Sequence, residues 1–90
     1  MSKSYMVRVA MRAGLTVDQM AEARRLKKFQ LVDEDTRRGS GIADERDWWS
    51  FVIDAADGDE AMLRAAQAMA DAFTGVDPQA ELIGLAWIGD

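Results

Sequence analysis

Any chemistry in this chain has to be done without histidine or cysteine, because neither occurs among its ninety residues. That removes the commonest general base and the one side chain that normally titrates near neutrality. It also removes Ser–His and Cys–His nucleophilic catalysis, and any structural zinc site built from thiolates and imidazoles. The sequence accordingly assigns no catalytic residues, no metal ligands and no cofactor. The polar groups set in apolar surroundings are Tyr5, Arg8, Ser50 and Asp54, and these form the candidate ligand-binding set. Asp54 closes an apolar run, where solvating a strand end is the simpler role for a carboxylate. The acidic run Asp33-Glu34-Asp35 could hold a divalent cation, but adjacent acids are more often a solvated face. Gly39-Ser40-Gly41, with Arg37 and Arg38 before it, has neither P-loop nor dinucleotide-fingerprint spacing, so phosphate binding there has little support.

The element that must position Ser50 and Asp54 is Asp47–Asp54, read as a strand through the middle of a sheet. Side chains alternate along a strand, so Trp49, Phe51 and Ile53 share one face and Trp48, Ser50 and Val52 the other. Large apolar groups on both faces call for cover on both faces. Ser4 to Met11 is a second alternating segment, with Tyr5, Val7, Val9 and Met11 on one side and Met6, Arg8 and Ala10 on the other. Glu81 to Ile88 is a third: Ile83, Leu85 and Trp87 against Leu82, Gly84, Ala86 and Ile88, with Gly84 a candidate bulge.

Two helices separate the strands. Thr16 and Gln19 have capping-box spacing, with Val17, Met20, Ala23 and Leu26 or Lys27 as the inward stripe and basic residues from Arg24 to Lys28 at the carboxyl end. Asp57 and Glu60 repeat the cap spacing before the clearest helical pattern in the chain. There Met62, Leu63, Ala66, Met69, Ala70 and Phe73 lie opposite Glu60, Arg64, Gln67 and Asp71, and Gly75 is the expected terminator. Residues 28–33 fit the last turn of the first helix or a short strand from Phe29 to Asp33; the period of two favours the strand. Residues 34–46 are charged, contain Gly39-Ser40-Gly41 and have only Ile42 as a clear apolar residue, so a mobile loop is expected there. Val76 to Ala80, with the only proline, reads as a connector.

Ninety residues make one domain, residues 1–90, near the lower limit for a self-sufficient core. The order strand, helix, strand, strand, helix, strand is that of the ferredoxin-like split βαβ sandwich, an α+β arrangement. Its antiparallel sheet has the first and third strands central and both helices on one face. The open face then carries Met6, Arg8, Ala10, Trp48, Ser50, Val52, Leu82, Ala86 and Ile88, an apolar patch of the kind that marks an interface.

The expected function is therefore a small non-catalytic module that self-associates, as a homodimer, or binds a protein partner through that face, with Trp48 as anchor. A small-molecule-binding protein or enzyme with a pocket at the same face is the alternative. A net charge of −5 repels phosphate backbones, so no nucleic-acid partner is expected. The same charge permits an acidic inhibitor docking on a basic partner, with Asp33, Glu34, Asp35, Asp44, Glu45 and Asp47 supplying it. No apolar run approaches a membrane span, and Lys3 leads into an alternating segment rather than a signal-peptide core, so a cytoplasmic protein is expected.

Overall fold

The computed structural model describes residues 2–12, 14–73 and 79–89. The alternating segments become β1 (Lys3–Met11), β3 (Asp47–Ala55) and β4 (Glu81–Gly89), and a five-residue β2 (Lys27–Leu31) follows the first helix. All four form one antiparallel sheet in the order β2-β3-β1-β4, so the first and third strands are central. β1 and β3 pair without a register shift from Lys3↔Ala55 to Met11↔Asp47. That continuity keeps the parity of both strands intact. Val7, Val9, Met11 and Phe51 therefore face one way, while Ala10 and Trp48 face the other.

The first face is covered by α1 (Val17–Ala23) and α3 (Gly58–Ala72). Both begin where the cap spacing puts them. The Thr16 hydroxyl accepts from the backbone N–H of Gln19, and the Gln19 side chain accepts from the backbone N–H of Thr16, closing a capping box. The Asp57 carboxylate accepts from the N–H of Glu60, and the Glu60 carboxylate accepts from the N–H of Ala56. The expected terminator Gly75 and most of the 76–80 connector lie outside the described residues.

Three expectations about this layer need correction. First, α1 stops at Ala23 instead of continuing to Lys28, because the segment from Lys27 is taken up as β2 against β3. Val17, expected inward, is 87 % exposed, and Leu26 reaches the core from the turn after the helix. Second, the buried stripe of α3 is Ala61, Ala65 and Met69, while Met62 and Leu63 face outward. The aromatic side chains explain that phase. Phe51 packs on Phe73 at 6.2 Å, and Phe29 lies between Phe73 at 6.0 Å and Trp49 at 4.9 Å. With that volume supplied by the sheet side and the helix end, the first half of the helix approaches the sheet with alanines, Ala61 and Ala65, and a larger side chain enters only at Met69. Third, β4 carries register irregularities opposite Arg8/Val9 and Ser4/Tyr5. The bulge at Ile83, next to Gly84, turns Leu82 into the helix-side core and sends Ile83 to the opposite face. Trp87, expected in the core, is left 62 % exposed at the sheet edge, as is Leu31 on β2 at 54 %.

Residues 34–46 are not a loop throughout. Glu34–Gly39 form a short third helix, α2, capped by Asp33, whose carboxylate accepts from the N–H of Thr36 at 2.7 Å. Ser40 closes it, donating to the Arg37 carbonyl, and Gly41 follows at φ 73°, a conformation that favours glycine. Nothing in α2 is apolar, and it lies on the face of the sheet opposite α1 and α3.

Candidate binding cleft on the sheet face

Because α2 sits on the second face, Trp48 is covered by its own chain. It is only 1 % exposed, packed among Ala10, Val32 and Ile83, with the Arg37 guanidinium 5.6 Å above its ring. Arg37 is held there by donating from Nη2 to the Asp44 carbonyl at 2.7 Å. The expectation that Trp48 anchors a partner is thereby corrected: it is an interior residue of the monomer. Its indole N–H is buried and has no acceptor among the described residues. Ala10, Ser50 and Val52 are likewise buried, at 0 %, 3 % and 5 % exposure. Of the expected interface set, Leu82 is on the helix side and Met6 and Arg8 are half-buried. Ala86 and Ile88 remain exposed.

Of the four expected ligand residues, Tyr5 is removed by parity and Asp54 by its place at the strand end. Tyr5 is buried on the helix side against Ala55 and Ala61. Asp54 lies at the strand end, accepts from the Ser4 hydroxyl at 2.9 Å and pairs with Lys27 at 3.5 Å. Arg8 and Ser50 are brought together as direct partners across β1 and β3. Gln30 of β2 is opposite Ser50, and Gly84 of β4 is opposite Arg8, giving one row across all four strands. Along this row the sheet and the start of α2 enclose a cleft of about 250 Å³, lined by Arg8, Ser50, Gln30 and Thr36, with Met6 and Val32 as apolar wall. Sequence reasoning misses Gln30 and Thr36, because only the presence of α2 brings Thr36 near Arg8.

A wider hollow of about 760 Å³ lies beside Asp44, Arg46 and Glu81. These three are paired with one another: Arg46 Nη2 reaches Asp44 at 2.6 Å and Glu81 at 3.1 Å. Hydrogen bonds from the Arg46 side chain, then from its backbone N–H, hold the Asp44 carboxyl down to about 2, and the side-chain bonds to Asp44 and then to Glu81 raise Arg46. Asp33 is also lowered, chiefly by the Thr36 backbone N–H that it caps. Glu34 and Asp35 both pair with Arg38. The acidic run weighed for a cation is thus spent on starting and lacing a helix, and no acidic cluster among the described residues has metal-holding geometry.

Comparison with protein-family models, with curated proteins and with solved structures returned no match. No helix among the described residues is long and apolar enough to cross a membrane.

Proposed function

We propose that this chain is a non-catalytic interaction module that self-associates, and that its contact surface lies at the β4 end of the sheet. The supporting observation is the side-chain exposure there. β4 is a nine-residue edge strand whose only charged residue is Glu81, and Trp87 and Ile88 are 62 % and 47 % exposed on it. Tyr5 sits opposite Trp87 and packs on Ala61, so the first turns of α3 lie at the same end. They add Met62 and Leu63, both exposed. The other edge is guarded: β2 is short, carries Lys27 and Lys28, and is kinked where Lys28 takes φ 53°. A tryptophan among exposed aliphatic groups is the usual composition of an interface centre. The acidic-inhibitor reading draws less support, because Asp33, Glu34, Asp35 and Asp44 are engaged within the chain.

We also read the architecture as the ferredoxin-like split βαβ sandwich, with α2 as an insertion between its second and third strands. The strand order, the antiparallel pairing of all neighbours and the placement of α1 and α3 on one face support that reading.

The test is light scattering during dilution through the micromolar range. A mass that falls from dimer to monomer supports the proposal. A monomer at every concentration removes it.

A further inference from the structure

We propose that the cleft between α2 and the sheet is a binding site for a small aliphatic monocarboxylate, whose head lies on Arg8 and Ser50 and whose tail lies on Met6 and Val32. This site is separate from the β4 end and does not depend on self-association.

The inference starts from an unmatched cation. Three arginines are half-buried: Arg8, Arg37 and Arg46. Arg37 donates to a carbonyl and covers Trp48, and Arg46 pairs with two carboxylates. Arg8 has no hydrogen-bond or ion-pair partner among the described residues. Withdrawing a guanidinium from water without a counter-ion is unfavourable, and a bound anion would relieve that. The arginine side chain runs along the sheet beside β4. Its stem lies over Gly84, where an added Cβ would stand 3.6 Å from the Arg8 Cβ.

Ser50 is the second, independent observation. It is only 3 % exposed at the floor of the cleft, directly opposite Arg8, and its side chain too is without a partner among the described residues. The hydroxyl itself is not sealed off, since among the described residues the only fully buried side-chain polar atom without a partner is Trp48 Nε1, so Ser50 Oγ is free to donate into the cleft. Gln30 and Thr36 bring further donors to the rim.

The lining selects the ligand class. A guanidinium fork and a hydroxyl lining one cleft supply the kind of donors that the two oxygens of a carboxylate accept from. The Asp33 carboxylate also lines the cleft, and its charge opposes any anion, a dianion more strongly than a monoanion, so Arg8 has less repulsion to outweigh for a monocarboxylate. A volume of about 250 Å³ has room for roughly eight water-sized groups, the size of a carboxylate with a short alkyl chain. The apolar wall gives that chain a dry contact.

The experiment is a ¹H–¹⁵N titration of the full chain with hexanoate, and in parallel with hexanamide, succinate and inorganic phosphate. Saturable shifts at Arg8, Gln30, Thr36 and Ser50 are expected with hexanoate, with weaker binding of the other three. Arg8→Gln should weaken hexanoate binding by at least about tenfold, and Arg8→Lys, which keeps charge but loses the fork, by less. Both variants should keep the amide dispersion of the parent, and Gln30→Ala, on the exposed rim, gives a further variant that leaves the core untouched and should also weaken binding. Shifts no larger with hexanoate than with hexanamide would overturn the proposal. So would equal binding of phosphate or succinate, or hexanoate binding unchanged by Arg8→Gln in a folded variant.

Discussion

Replacing Trp48 by phenylalanine should change stability by no more than about 1 kcal/mol, although Trp48 is among the largest buried side chains in the protein. The smaller ring gives up roughly 40 Å² of apolar burial, about 1 kcal/mol. It leaves a void of roughly 40 Å³ among Ala10, Val32 and Ile83, which costs about 1 kcal/mol more. Against these losses, the phenylalanine variant lacks the buried indole N–H that has no acceptor among the described residues, an arrangement worth about 1–3 kcal/mol of destabilisation. The opposing effects are of similar size, so they largely cancel. Trp48→Ala keeps the relief of the N–H but loses the whole side chain, and should cost about 3–5 kcal/mol. Urea unfolding followed by far-ultraviolet circular dichroism measures both, at a concentration low enough to keep the chain monomeric. A loss of about 3 kcal/mol or more for Trp48→Phe would refute the reasoning, because it would mean that the N–H is satisfied in the folded chain. A loss below about 1 kcal/mol for Trp48→Ala would show that α2 does not cover the ring at all.

Other perturbations follow from the same geometry. Met69→Ala should cost about 2–5 kcal/mol, while Met62→Ala should stay within about 0.5 kcal/mol in the monomer, because α3 turns the first inward and the second outward. Chemical denaturation distinguishes them, and equal losses would mean that the helix phase is wrong. Lys28→Gly should be neutral or stabilising by up to about 1 kcal/mol, since φ 53° is unfavourable for lysine and open to glycine. A clear loss of melting temperature would count against the kink. Asp44 titrates lower in the folded chain than its ordinary value of about 3.9, so its contribution is present above that pH and is lost as the pH falls towards about 2. Asp44→Asn should flatten the acid limb of a stability–pH curve, and an unchanged limb would deny the pairing with Arg46.

Much of this architecture is legible in the residues, and the exceptions have physical causes. The strand Asp47–Ala55 can be phased because its apolar residues alternate on both sides and its pairing with β1 has no bulge. The caps at Thr16 and Asp57 are visible because their partners sit three residues on. The short helix α2 escapes because it has no apolar face, although Asp33, the acids after it, Arg37 and Arg38 and the glycines that follow are a helix start and stop in full. Missing α2 leads directly to reading Trp48 as exposed. The phase of α3 is misread for the opposite reason: Met62 and Leu63 are placed inward, whereas Ala61 and Ala65 face the sheet, with Tyr5 packed against the first and Phe51 and Phe73 in the cluster of the second. That Arg8 and Ser50 share a face follows from strand parity, but their direct pairing is set by the register of β1 on β3, and the cleft above them exists only where α2 overhangs the sheet.

Sedimentation equilibrium of the wild-type chain beside Trp87→Lys bears most directly on the claim that the bare β4 end is a self-association surface. Trp87 is an exposed edge residue, so the substitution should leave the fold unchanged by circular dichroism. The account predicts a dimer mass for the wild type at micromolar concentration and a monomer mass for the variant. A wild-type chain that sediments as a monomer, or a Trp87→Lys chain as dimeric as its parent, contradicts it.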